Sequence, residues 1–435
     1  MFTFKGGTHP YDGKEFSKDK PIVELKPKTD LVFPLSQHIG APAKAVVKVG
    51  DTVKRGQIIA EADGFVSASI HSSVSGKVKK VEARFTPRGN KSECIVIEND
   101  NDYSEVDFIK VDSIDKLSKE DIISKVKAAG IVGMGGAGFP TAVKLSPKEA
   151  DKIEYVIANC AECEPYITAD YRRMLENPEE LISGMKIVLK LFGNAKAIFG
   201  IEDNKIDCVE KLTELLKEEP NMEVMTLHTK YPQGAEKSLI YATTKRKVTG
   251  LPSDVGCLVN NVETLIAIHH AVLEGRPVME RVFTISGDGI KEPNNFKVLI
   301  GTNHNEIIEA AGGMKDNVVK IISGGPMMGT ALFTSDIPVT KTSSAFLAFT
   351  HDDVAEMEPT ACINCGRCVD VCPSQIIPSR LANFSERGDS GQFETWHGMD
   401  CVSCGCCSFV CPAKRHLQQS LAAMKNIVAA NRRKK

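Results

Sequence analysis

The chain has 435 residues, 42% apolar and 25% charged, with a net charge of −2 at pH 7. That length exceeds what one hydrophobic core serves and predicts three or more domains, while the composition excludes a disordered chain. The near-neutral balance and single Trp exclude a basic nucleic-acid-binding field or a base-stacking platform.

No stretch reaches the ~20 apolar residues of a membrane span. A long charge-free run, Ile321 to Ser335, is broken by Gly, Pro and Ser. The opening "MFTFKGGTHP" has no apolar h-region, so no secretory signal is expected and the chain is placed in the cytoplasm. Fourteen cysteines there point to metal or redox chemistry rather than disulfides.

Residues 1–30 have no clear period and read as an extended arm. Residues 31–100 hold short alternating β-type runs separated by Gly50-Asp51, Asp63-Gly64 and Ser75-Gly76, the pattern of a small sandwich or barrel. They look like a lipoyl-type barrel-sandwich hybrid, but the tip at Asp63-Gly64 carries no Lys to modify, so a structural module is expected. Residues 101–117 are acidic and irregular, a linker.

From 118 to 278 helical and strand patterns alternate, predicting an α/β domain. "SKEDIISKVKAAG" is a helix with Ser118 as N-cap and Gly130 at its end. "IEYVIANC" and "AKAIFGIE" are strands, and "PEELISGMKIVLKLFG" is a helix. Residues 279–350 give strand, strand, helix, strand, which fits an α+β module of β-grasp type. Residues 351–435 hold nine of the cysteines and end in a helical tail. On that tail Leu417, Leu421, Met424 and Val428 share one face, suited either to packing on its own domain or to docking on a membrane protein or anionic lipid.

Two cysteine runs carry one spacing: Cys362-x2-Cys365-x2-Cys368-x3-Cys372-Pro and Cys401-x2-Cys404-x2-Cys407-x3-Cys411-Pro. Three thiolates of such a run wrap one cluster, and the fourth ligates the other in two-cluster proteins. One [4Fe–4S] is therefore assigned to Cys362, Cys365, Cys368 and Cys411, and a second to Cys401, Cys404, Cys407 and Cys372. Zinc ordinarily takes two cysteine pairs with a long spacer, which this is not. Cys406 lies off the spacing and reads as a packed thiol or a hydrogen-bonding neighbour. Cys94, Cys208 and Cys257 read as buried structural residues, and the Cys160-x2-Cys163 pair as structural or site-lining. Between the runs, "PSQIIPSRLANFSERGD" predicts a helix, hence a ferredoxin domain more helical than the small β-rich type.

Gly133, Gly135 and Gly138 satisfy the letters of the G-x-G-x-x-G dinucleotide fingerprint, but a helical pattern precedes them and Phe139-Pro140 follows at once. A Rossmann loop needs a strand before and a long helix after. Four glycines in six residues still let backbone amides lie against a planar or phosphorylated ligand, with Lys144 directed back at the same site and a short helix starting at Pro140-Thr141.

"GMGGAGFPTAVK" resembles the flavin loop of the NADH-binding subunit of respiratory complex I. "NCAECEP" (Asn159 to Pro165) resembles its acidic loop, "NNVET" (Asn260 to Thr264) its second flavin loop, and "QGAEK" (Gln233 to Lys237) is a weaker echo. The N-terminal "FKGGTHP", the barrel-sandwich segment and the appended cysteine runs resemble the C subunits of Rnf complexes, over about Phe4 to Pro412. The resemblance implies four modules: barrel-sandwich hybrid, complex I-type FMN/NADH α/β domain, β-grasp (SLBB-like) domain and helical two-cluster ferredoxin domain. It implies FMN contacts at Gly133, Gly135, Gly136, Gly138, Lys144, Asn159, Glu162, Asn260, Asn261 and Thr264, and NAD(H) contacts at Ala137, Phe139, Lys144 and Glu164. It gives Glu162 and Glu164 roles on cofactor hydroxyls or nicotinamide, and Lys144 a role in favouring anionic reduced flavin. Ala161, Ala235 and the non-aromatic Leu145-Ser146-Pro147 depart from the complex I pattern.

The implied activity is hydride transfer between NAD(H) and non-covalent FMN, with single electrons exchanged with the two clusters. The implied setting is the cytoplasmic face of the membrane, with membrane subunits and a ferredoxin-like iron–sulfur subunit as partners and no nucleic acid. Two alternatives share these modules: a cobalamin reductase of the propanediol-utilisation type, and an electron-wire subunit without nucleotide binding.

Overall fold

A computed structural model of the chain describes residues 2–352 and 354–434. The arm is not free. Gly7 N donates to Val371 O (2.8 Å), Thr8 and Tyr231 exchange backbone hydrogen bonds (2.8 and 2.9 Å), and strand β1 (Val23–Leu25) runs parallel to a strand of the β-grasp sheet. Lys14 is buried and donates to Ile167 O (2.5 Å) and Glu164 O (3.1 Å). A segment without periodicity can therefore be ordered, because its partners lie far away in sequence.

The next seven strands, β2 (Leu31–Pro34), β3 (Lys44–Ala45), β4 (Thr52–Val53), β5 (Ile58–Glu61), β6 (Ile70–His71), β7 (Gly76–Phe85) and β8 (Lys91–Asn99), form two antiparallel sheets ordered β2-β8-β7-β4 and β3-β5-β6. Phe33, Ile59, Ile70 and Ile95 fill the space between them, and this core continues into that of the following domain. The linker lies along the surface, with Val111 N on Leu273 O (2.7 Å).

Helix α1 (Lys119–Ala128) starts at a Ser118 capping box with Asp121 and stops at Gly130, whose φ of +63° ends the helix. The glycine loop and the one-turn helix α2 (Thr141–Lys144) follow. Strands β9 (Tyr155–Cys160), β10 (Lys196–Glu202), β11 (Met222–Leu227) and β12 (Cys257–Asn261) form a parallel sheet ordered β11-β10-β9-β12. Strands β9, β10 and β12 are largely apolar and buried because both of their faces are covered. Ile157, Ile198 and Val259 pack under α6 (Glu236–Thr244). Val156, Ala158 and Phe199 face the side of α4 (Pro178–Leu189), α5 (Ile206–Leu215) and α7 (Val262–His269), while α3 (Ala169–Glu176) connects β9 to α4.

The third domain has β13 (Glu280–Ser286), β14 (Asn294–Leu299), α8 (His304–Ala310), β15 (Lys320–Ser323), β16 (Thr330–Leu332) and β17 (Ala345–Phe349) in the sheet order β1-β14-β13-β17-β15-β16. The β13–β14 hairpin, the parallel β13–β17 pair and α8 packed through Ile307 and Ile308 make the β-grasp pattern. The last domain is helical: α9 (Arg367–Asp370), α10 (Pro378–Glu386), α11 (Ser390–Thr395), α12 (Cys406–Phe409) and α13 (Leu417–Lys434). Leu417, Leu421, Met424 and Val428 are buried with Leu381 and Phe393, so the tail helix spends its apolar face inside its own domain. Among the described residues no helix is long and apolar enough to cross a membrane.

Candidate flavin and iron–sulfur sites

In a parallel sheet ligands bind outside the carboxyl ends of the strands, where neighbouring connections run in opposite directions. Here that switch point lies between β9 and β12, because β10 and β11 extend to one side of β9 and β12 to the other. Asn159 stands near the end of β9, and Asn260 and Asn261 close β12 in register with Ala158 and Asn159.

The glycine loop is a closed lobe. Val132 bridges to Pro140, and Gly133 N donates to Phe139 O (2.8 Å). Its apex, Gly135 to Ala137, is exposed. Met134 N donates to Thr264 Oγ1 (3.0 Å), and Arg281 of the β-grasp domain holds Met134 O (3.2 Å). Gly135 sits over Asn261, whose side chain lies 2.9–3.0 Å from where a Cβ would stand, whereas a Cβ at Gly136 meets nothing within 4 Å. Gly138 (φ +77°) is pressed against Thr342 and His38. The loop is therefore positioned by three domains.

Lys144 Nζ donates to Val259 O (2.8 Å), beside Asn260, and lies 3.4 Å from Glu236 Oε1. Asn159 Nδ2 donates to Gly234 O (2.7 Å). The Asn260 Nδ2 and both amide atoms of buried Gln233 have no hydrogen-bond partner among the described residues. Unpaired buried amides are costly, and that of Asn260, at the end of β12 beside the Asn261 that underlies Gly135, suits a flat ligand rich in donors and acceptors. The residues present thus fit a flavin.

The two glutamates are engaged within the protein. Glu162 accepts from Asp170 N (2.7 Å) and Tyr171 N (3.2 Å) at the start of α3, and Asp170 in turn accepts from Asn261 Nδ2 (2.5 Å). Burial raises the Glu162 carboxyl to about 7, against the opposing pull of Lys14, and raises Asp170 to about 6. Glu164 accepts from Met327 N (3.2 Å) and Tyr231 Oη (3.5 Å), and burial raises it to about 7. The short helix expected at Pro140-Thr141 is a single turn, α2. Asp170, Tyr231, Arg281 and Lys341 escaped sequence reasoning because none belongs to a motif. Arg88, whose Nη2 lies 3.5 Å from Ala137 O at the loop apex, comes from the barrel-sandwich hairpin.

The cysteine runs repeat in backbone as well as spacing. Asn364 and Ser403 both have φ +56°, and Gly366 and Gly405 have +79° and +80°. Gln375 and Lys414 match at +56° and +51°, every pair being 39 positions apart, like the cysteines. Cys372, Cys401, Cys404 and Cys407, with Cys406, line one cavity. Thr360 N donates to Ala413 O (3.0 Å), which brings the start of the first run to the end of the second. Cys362 and Cys365 are exposed. Cys406 is fully buried, and its thiol with neighbouring backbone N–H groups lowers Cys404 to about 7. Cys94, Cys208 and Cys257 are buried.

The sites are neighbours. Tyr231 Oη donates to Cys404 O (2.8 Å), and Tyr231, Cys163, Cys404 and Cys406 share one apolar cluster. Gly234 N donates to Cys163 Sγ (3.3 Å), two residues after Pro232 and next to Asn159.

Comparison with known families follows the same order along the chain. Residues 2–102 match the RnfC barrel sandwich hybrid domain, 126–270 the Nuo51 FMN-binding domain, 282–331 the SLBB domain and 361–414 the 4Fe-4S dicluster domain. The C subunit of the Na(+)-translocating ferredoxin:NAD(+) oxidoreductase complex of Acetobacterium woodii is 43% identical, over 99% of this chain and 98% of its own. The chain belongs to the RnfC family. The RnfC protein of the proton-translocating complex of Clostridium ljungdahlii is 48% identical, covering 88% of this chain and 85% of its own. The corresponding protein of the Vibrio cholerae ion-translocating oxidoreductase complex is 38% identical over 88% of this chain but only 50% of its own length. A crystal structure of NAD+-reducing [NiFe]-hydrogenase shares the fold over 72% of this chain and 61% of that one, with a TM-score of 0.50 and 20% identity. FMN and [4Fe–4S] clusters are therefore the cofactors of the family's domains, and other Rnf subunits are the partners.

Proposed function

We propose that this RnfC chain is the component through which a membrane-bound, ion-translocating ferredoxin:NAD oxidoreductase exchanges electrons with NAD(H), held at the cytoplasmic face by membrane subunits and a ferredoxin-like iron–sulfur subunit. FMN, when bound, exchanges hydride with nicotinamide and single electrons with iron–sulfur clusters. The carrying observation is the hydrogen bond from Tyr231 to Cys404, which ties a cluster ligand to the segment that also lines the flavin site. It favours the set Cys372, Cys401, Cys404 and Cys407 as the cluster nearer the flavin, and exposed Cys362 and Cys365 as part of the outward one.

The chain's own residues bind and orient. Gly133, Gly135, Gly136 and Gly138 give a loop that Thr264 and Arg281 fix before any ligand arrives, which lowers the ordering cost of binding. Asn159, Asn260 and Asn261 offer amides at the strand ends. Glu162 acts through α3 and Asp170 on Asn261, and so on the floor under Gly135. Lys144 places a positive charge beside Asn260, which favours an anionic reduced ring. The exposed apex, with Ala137 and Phe139, would hold the nucleotide, with Glu164 on the side of the cluster domain.

Anaerobic titration of the reconstituted protein with NADH tests the reading by optical and EPR spectra. Flavin bleaching followed by both cluster signals is expected. A protein that binds flavin without NADH-driven bleaching is instead the electron-wire subunit, and one that takes up no flavin defeats the assignment.

A further inference from the structure

At the far end of α7 from the flavin loop the helix widens. Residues His270–Glu274 form a π-turn, closed by Gly275 at φ +72°. At α-helical spacing His269 and Glu274, five apart, diverge by about 140°. A π-turn, with its i→i+5 hydrogen bond, returns them to one face. As a result one ligand atom from each of His269, His270 and Glu274 lies within 4.8 Å of the others.

The arrangement around them is ordered. His269 Nε2 faces Glu274 Oε1 at 3.8 Å, while its Nδ1 is 2.8 Å from Ser183 Oγ on α4. His270 Nδ1 faces Glu274 Oε2 at 3.1 Å, while its Nε2 is 3.3 Å from Glu180 Oε2, also on α4. Arg276 Nη1 approaches Glu274 Oε2 at 3.3 Å from the outer side, while Oε1 faces His269 alone. Each inward-facing group thus has an outer partner that fixes its orientation. Metal-binding histidines are held in this way, by an oxygen on the ring nitrogen that does not ligate.

We propose that His269, His270 and Glu274 form a binding site for one divalent transition metal of the zinc type. Two imidazole nitrogens and one carboxylate oxygen are ligands of the hardness Zn(II) accepts, and partial exposure leaves the fourth tetrahedral position to water. The bound ion pins the end of α7, which Ser183 and Glu180 of α4 hold through the outer ring nitrogens; the first turn of α7 carries Thr264 and its N-cap is Asn261. The eight residues of α7 span about 12 Å, so the ion braces the helix that holds the glycine loop without touching the flavin site.

The test uses full-length protein loaded anaerobically with clusters and FMN, given one equivalent of zinc chloride and desalted. Metal analysis is expected to find about one zinc per chain with iron unchanged, and zinc X-ray absorption to show only nitrogen and oxygen ligands near 2.0–2.1 Å. His269→Ala and His270→Ala should lose the zinc. Ser183→Ala, which keeps all three ligands, should weaken affinity about tenfold. Zinc held equally by wild type and both histidine variants, zinc on sulfur near 2.3 Å, or no zinc retained at all overturns the proposal.

Discussion

Each glycine of the loop has its own physical job. Gly138 needs a left-handed backbone, and a Cβ there would meet Thr342 at 2.7 Å and the His38 backbone at 3.1 Å. Gly136 has neither constraint. Gly138→Ala is therefore expected to cost about 1–2 kcal/mol in backbone strain alone, and to lower both the thermal midpoint and flavin content. Gly136→Ala should leave the midpoint within a degree or so, since exposed changes away from special features cost under about 0.5 kcal/mol. Flavin affinity should still fall, because the added methyl occupies the face offered to the ring. Equal flavin binding by wild type and Gly136→Ala, read by fluorescence titration, would remove that residue from the site.

Among the elements, the two cysteine runs make the sharpest case. The spacing assigns the fourth cysteine of each run to the other cluster, and the cavity shared by Cys372 with the second run favours that crossing. Cys372→Ser should then perturb the same EPR signal as Cys404→Ser, and leave the signal perturbed by Cys362→Ser intact. The opposite pairing would return Cys372 to its own run. The tail helix shows a limit of pattern reading. Its apolar stripe was legible, but a stripe does not name what covers it, and the cover turned out to be α10 and α11. The arm shows the converse. It has no stripe, yet Gly6 passes so close to the first run that a Cβ there would stand 2.8 Å from Cys372 O, so two adjacent glycines let it thread past a cluster ligand.

At the scale of the molecule the domains meet through buried cations. Lys341 of the β-grasp domain donates to Ser69 O (2.5 Å) in the barrel sandwich and to Gly130 O (2.6 Å) at the foot of the glycine loop. Burial lowers its pKa from 10.5 to about 7. Between these values the unfolded chain holds more protons than the folded one, so stability rises with pH across that window and is lowest below it. The contribution is on the order of 5 kcal/mol over the full shift. Thermal midpoints at pH 7 and pH 10 should show wild type gaining relative to Lys341→Met. Parallel pH curves for the two would mean the ammonium is not buried as described.

Much of what is local was legible in the residues alone. Cluster chemistry follows from eight cysteines in two short windows, the end of α1 from Gly130, its start from Ser118, and the rejection of a Rossmann loop from the helix before it and the proline after. These depend on neighbours within a few residues, where spacing and backbone preference act directly. What crosses between domains was decided only in three dimensions. The fold brought Tyr231 to Cys404, set Arg281 and Lys341 behind the glycine loop, turned Glu162 and Glu164 toward partners inside the protein, and gathered His269, His270 and Glu274 onto one face. Those contacts join positions far apart in the chain or hang on a change of helix pitch. No periodicity in the sequence records either.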